Sequence, residues 1–194
     1  ENYDMIKDIY VQIEPFKTRR AGKLSGGMKQ KLALCCALIH KPSVLFLDEP
    51  TTGVDAVSRR EFWEMLKHLR KQGITILVST PYMDEAALCD RIALIQSGKI
   101  LSIDLPEKIS QSYPGNLYAI RSDAIYELMN DLRNFSNTGS CYAFGGYLHV
   151  TFINDNSHST QSVADYLQGK KHRNVEMKQI KPTIEDCFIR LINK

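Results

Sequence analysis

No stretch of this 194-residue chain approaches the ~18 consecutive apolar residues that a membrane-spanning helix needs. The longest, Leu32 to Ile39, is far too short. An excess of one charge is lacking too: 25 basic side chains stand against 22 acidic ones, and a cut after Asp104 leaves +2 on the first part and +1 on the second. Neither part is a basic patch, so charge gives no support to nucleic-acid binding. Cysteine is sparse and unpatterned. Cys35, Cys36, Cys89, Cys141 and Cys187 contain no CxxC spacing, and three of them have strongly apolar neighbours. A reduced thiol packs there as a small hydrophobe, so a reducing cytosol fits best. The opening Glu1-Asn2-Tyr3-Asp4 has no Met and no basic or apolar leader region, and reads as the interior of a longer sequence. What is present, 43% hydrophobic and 24% charged residues, suits one large or two small folded domains and excludes a disordered polyelectrolyte.

Periodicity gives an α/β order. Met5, Ile6, Ile9, Tyr10 and Ile13 predict a short amphipathic helix that Pro15 interrupts. Met28, Leu32, Cys35, Cys36 and Ile39 predict a helix capped by Ser25 and ended by Lys41-Pro42. Val44-Leu45-Phe46-Leu47 is the profile of a strand buried on both faces, closed by Asp48-Glu49-Pro50. A helix over 56–72, a second buried strand at Ile74 to Val78, a short helix from Met83 to Cys89 and a hairpin turning at Ser97-Gly98 follow. Alternation of strand and helix argues for parallel pairing. Beyond a helix near Pro106 to Gln111, the order becomes strand, helix, two strands, helix, strand, which is ferredoxin-like. Pro182 suits the first turn of a final helix.

Three elements then stand in fixed order: Leu24-Ser25-Gly26-Gly27-Met28-Lys29-Gln30, Val44 to Glu49, and Thr51-Thr52-Gly53-Val54-Asp55. Singly, each has a plain reading as a helix cap, as solvated strand-end carboxylates, or as a turn. The functional reading is that paired glycines let backbone approach an anion at a helix N-terminus. Two acids ending a buried strand are placed for Mg²⁺ and water chemistry, because ligands bind at the carboxyl ends of parallel strands.

Together these elements resemble the nucleotide-binding domain of ATP-binding cassette (ABC) transporters. Leu24 to Gln30 is similar to the family's signature motif, Leu45 to Glu49 to its Walker B strand and Thr52 to Asp55 to its D-loop. The resemblance implies that Asp48 holds Mg²⁺, through water, and that Glu49 polarises the attacking water as general base. Ser25, Gly26 and Gly27 would contact the γ-phosphate of ATP bound by the opposite subunit, with Gln30 and Asp55 also counted as nucleotide-binding positions. Asp55 would transmit state between the two sites. This is phosphoryl transfer, in which positioning and electrostatics supply the catalysis. The runs Leu34 to His40 and Ser58 to Trp63 look like the drug-efflux or YbhF-like bacterial exporter ATPases, and Pro182 to Phe188 resembles the ending of the accessory domain behind some of them.

Two departures qualify the resemblance. No GxxxxGK[ST] exists in the chain, and Ala21-Gly22-Lys23-Leu24-Ser25 is a decoy with Leu24 where Ser or Thr belongs. The expectation is therefore a P-loop NTPase fragment over 1–111, lacking its Walker A region, followed by a ferredoxin-like accessory domain over 112–194. Alone it would neither bind ATP tightly nor hydrolyse it, and its strands would be partly uncovered. Secondly, Pro81 stands where the family carries a switch histidine, and none of His40, His68, His149, His158 or His172 substitutes for it. One weakened site implies a second, intact cassette, in tandem or as a separate subunit.

The resemblance also implies membrane permease subunits as partners, no nucleic acid, and a cytoplasmic position on the inner face of the cell membrane. Rival readings are a soluble ABC ATPase acting on ribosomes or DNA, and a binding or regulatory module through residues 112–194. Among smaller features, Lys170-Lys171-His172-Arg173 reads as a solvated turn rather than a lipid contact. Asp123, Glu127 and Asp131 read as an acidic helix face rather than a metal site, and Phe62, Trp63 and Met65 as packing residues.

Overall fold

The computed structural model describes residues 3–155 and 159–193; Glu1 and His158 lie outside the described residues. The chain divides between Tyr82 and Met83 into two compact units.

The first unit opens with α1 (Tyr3–Tyr10), whose Ile6 and Ile9 are buried, and passes through two short 3₁₀ turns to α2 (Gly26–Leu38). Ser25 caps α2 as its sequence predicts, accepting a hydrogen bond from the Met28 N–H at 3.3 Å. Strand β1 (Val44–Asp48), helix α3 (Ala56–Lys71) and strand β2 (Thr75–Ser79) complete it, with β1 and β2 parallel and in register from Val44↔Thr75 to Asp48↔Ser79. Phe62, Trp63, Leu66 and Leu69 form the buried stripe of α3. The two-sided burial that the apolar run of β1 suggests does not hold, and the strands are partly uncovered, as the fragment reading expects. Leu45 is buried, but Phe46 is 73% and Leu77 60% exposed. Side chains alternate across a strand, and the Phe46–Leu77 face of this two-stranded sheet is left uncovered.

The second unit begins with a single-turn helix α4 (Met83–Ala86) and the hairpin β3 (Ile92–Gln96) and β4 (Lys99–Asp104). Ser97 and Gly98 both take positive φ, +49° and +73°, the pair that a right-twisted two-residue hairpin turn demands. Then come α5 (Pro106–Gln111), β5 (Leu117–Arg121), α6 (Ile125–Asn134), β6 (Thr138–Phe144), β7 (Tyr147–Phe152), α7 (Ser159–Gly169), β8 (Glu176–Ile180) and α8 (Ile184–Ile192). The sheet order β6-β7-β5-β8, antiparallel throughout, is the ferredoxin-like arrangement that the element order predicts. Leu128 and Leu132 of α6 and Val163 and Leu167 of α7 close its core over Ile120, Leu148 and Val150.

The sequence places a domain boundary after Gln111, whereas the division into two compact units falls 29 residues earlier. The cause is a second apolar cluster in which Ile92, Leu94 and Ile109 pack with Ile184 and Cys187 of α8. Pro182 is also not in the first turn of α8. Thr183 is the N-cap, in a reciprocal box with Asp186, and Pro182 precedes it. Two further surface readings resolve by pairing. Asp131 accepts from His172 at 2.9 Å and pairs with Lys170 at 3.3 Å, so the basic turn is tied to the acidic helix. Asp123 lies ahead of α6 and accepts from the Asn174 amide at 3.0 Å. Among the described residues no group of three or more His, Cys, Asp or Glu side chains is placed to hold a metal ion.

Candidate functional site

The carboxyl end of the β1–β2 pair gathers the acidic candidates. Asp48 ends β1 opposite Ser79 in register, and its Oδ1 accepts from the Ser79 hydroxyl. Glu49 follows at φ +43°, a left-handed backbone that non-glycine residues rarely adopt. Its N–H donates to the Ser79 carbonyl at 3.0 Å and to Ser79 Oγ at 3.2 Å, while its Oε2 accepts from Thr52 Oγ1 at 3.1 Å. One turn of chain later Asp55 caps α3, accepting from the N–H groups of Val57 and Ser58 at 3.1 and 3.0 Å. The Ser58 N–H, followed by the Ser58 hydroxyl, holds the Asp55 carboxyl below its ordinary range. A strained acid and its capped neighbour are thus fixed by short local bonds.

The glycines of the α2 entrance have a packing reason besides any role with an anion. A Cβ on Gly26 would stand 3.0 Å from the Gly53 carbonyl oxygen, and one on Gly27 would stand 2.7 Å from Ser58 Cβ and Oγ. The entrance of α2 therefore presses directly against the segment 53–58. Gly27→Ala is expected to destabilise by about 1–2 kcal/mol net, since overpacking outweighs alanine's better helix propensity. A lower urea midpoint at unchanged slope checks this, and Ser58→Gly in the same chain should recover part of the loss. An alanine variant as stable as the parent would contradict the close approach.

Ser25 is exposed at the cap, and Gln30 is half-buried on the second turn of α2. Pro81 lies two residues ahead of α4, so it does not start that helix. The Arg59 guanidinium lies 4.3 Å from the Tyr82 ring centroid and steadies the turn that carries Pro81. Sequence motifs did not single out Ser79 or Thr52 as partners of the acids. The legible signal was the parallel pairing of two apolar strands, which places the end of the second beside the end of the first.

Known proteins similar to this chain are ATP-binding proteins of ABC transporters. Residues 6–52 match the ABC transporter family, described as "ABC transporter". The first part of the chain is similar to part of an ABC transporter cassette. The probable multidrug ABC transporter ATP-binding protein YbhF of Escherichia coli is 46% identical over 113 residues, 58% of this chain and 20% of that protein. The Nod factor export ATP-binding protein I of Bradyrhizobium diazoefficiens is 31% identical, over 95% of this chain and 58% of its own length. Among solved structures, CbiO1 from Clostridium perfringens, described as part of the ABC transporter complex CbiONQ, aligns with 28% identity and a TM-score of 0.50, covering 56% of this chain and 45% of that one. The part that aligns has the mixed α/β fold of an ABC ATPase cassette, a P-loop NTPase. The chain spans between a fifth and three fifths of the curated relatives named here. No helix among the described residues is long and apolar enough to cross a membrane.

Proposed function

We propose that this chain forms the signature, Walker B and D-loop portion of an ATP-hydrolysing cassette that powers export through membrane partner subunits on the cytoplasmic face. The observation that supports this most is Glu49. Its backbone is held at φ +43° at the end of a parallel strand, with its carboxylate tethered to Thr52. Strain of this kind is retained where geometry serves a reaction.

The carboxylates fit Mg²⁺, which binds through one or two acids together with substrate phosphates rather than in an all-protein cage. Asp48 would hold it, and the ion would neutralise charge on the phosphates. Glu49 would orient and deprotonate the attacking water. The Ser25 oxygen accepts from the Met28 N–H, which leaves its O–H to donate to a phosphate beside the N–H groups of the α2 entrance. Asp55, as the cap of α3, would link the position of that helix to the Thr52-Gly53 segment against which Gly26 packs. The polyphosphate-wrapping loop would come from sequence beyond these residues, since no GxxxxGK[ST] occurs among them. Proline at position 81 has no ring nitrogen to reach a phosphate, which supports pairing with a second, intact cassette.

Affinity purification of the protein from its native membranes tests the reading. Recovery with membrane-embedded subunits and a second cassette is expected. Recovery with ribosomes and no membrane protein would overturn it.

A further inference from the structure

None of the residues read as the ATP site belongs to a cavity found in the second unit. It has a volume of about 210 Å³ and is bounded by β5, β6, β7 and α8. That is smaller than the usual drug-sized site of ~300–1,000 Å³. One wall is a fixed polar assembly. The His149 ring stacks on Phe144 with centroids 4.1 Å apart and planes at 6°, and its Nδ1 lies 2.7 Å from Asp186 Oδ1. Asp186 Oδ2 is already occupied by the Thr183 N–H at 2.8 Å and the Thr183 hydroxyl at 2.7 Å. The acid is therefore committed to the fold, and His149 is left with Nε2 for other work.

Arg190 supplies the opposite character. Its guanidinium lies over the Tyr113 ring at 5.4 Å, and its Nε–H is shielded from solvent with no hydrogen-bond partner. Among the described residues no carboxylate pairs with it. A shielded donor without an acceptor is costly, and native structures rarely leave one without a use. The guanidinium fork matches the two oxygens of a carboxylate, and the hydroxyls of Ser140 and Tyr142 line the same space. Leu117 and Ile189 provide apolar wall for the remainder of a small molecule. We infer that this cavity is a binding site for a small organic carboxylate, whose oxygens satisfy the Arg190 guanidinium while its apolar body rests on Leu117 and Ile189.

The test uses the 194-residue chain, ¹⁵N-labelled, with benzoate as the probe. Benzoate is expected to move the Arg190 Nε–Hε resonance and to saturate at about 1–10 mM. Benzamide, the neutral isostere, and inorganic phosphate, an oxyanion without an apolar body, are expected to leave that resonance in place. Arg190→Gln should weaken benzoate binding about tenfold or more, and Arg190→Lys, which keeps charge but loses the fork, by less. Should Arg190→Gln fail to fold, Tyr142→Phe serves instead, with a loss of a few-fold in affinity on removal of one hydroxyl. An Arg190 signal that benzoate does not move, equal response to benzamide or to phosphate, or benzoate binding unchanged in these variants would each overturn the inference.

Discussion

In a full cassette containing this chain and a phosphate-binding loop, Glu49→Gln is expected to lower ATP turnover by roughly 10²–10⁴-fold, the range a general base supplies. Glutamine keeps the shape of the side chain and an acceptor for the Thr52 hydroxyl, which now lies 3.1 Å from Oε2. ATP affinity should therefore change little. The loss would then sit in turnover alone, the signature of an interaction made chiefly in the transition state. A companion substitution separates chemistry from folding. Glu49→Gly removes the side chain from a backbone at φ +43° and should hold or raise the urea midpoint while abolishing turnover. Turnover retained in Glu49→Gln would remove Glu49 from the reaction. A fall in stability on Glu49→Gly would show that the strained backbone is held for packing.

The second large effect concerns stability. Asp186→Ala is expected to cost the second unit about 2–4 kcal/mol, combining a lost helix cap with buried donors left unpaired. Three contacts vanish at once: the Thr183 N–H, the Thr183 hydroxyl and His149 Nδ1. Asp186 has a side chain only 3% exposed, so water cannot replace them in place. Urea denaturation measures the change. In a double-mutant cycle, Asp186→Ala should cost less when His149 is already Phe, because one orphaned group has gone with it. Equal costs in both backgrounds would show that the pair is not coupled.

Local order was legible in the sequence because its causes are local. Ser25 before Gly26-Gly27 and an apolar periodicity was enough to start α2, and Ser97-Gly98 between apolar runs was enough to turn the hairpin. The Asp48-Glu49 end of an apolar run pointed to the candidate site for the same reason. What the pattern could not carry is long-range. The partner of Asp48 lies 31 residues away and that of Asp186 lies 37 away, both set by which strand or helix lands beside which. The two-sided burial expected for β1 rested on its apolar content alone, which does not say how many neighbours are present to cover it. Gly26 and Gly27 read as room for an anion, and only the neighbouring Gly53 and Ser58 show that they also make room for the chain itself.

The apolar cluster that joins β3 and α5 to α8 also imposes a sequence of events in time. Ile92, Leu94 and Ile109 lack their cover until Ile184 and Cys187 arrive, between 75 and 95 residues later in the chain. At ordinary rates of translation that interval is on the order of 5–20 s. Throughout it the nascent hairpin exposes a greasy flank, together with Ile95 and Ile100, which remain over half exposed even after folding. The last helix is thus the step that retires a sticky intermediate, and a stalled or clipped chain ending before it would be a substrate for chaperones rather than a smaller working protein.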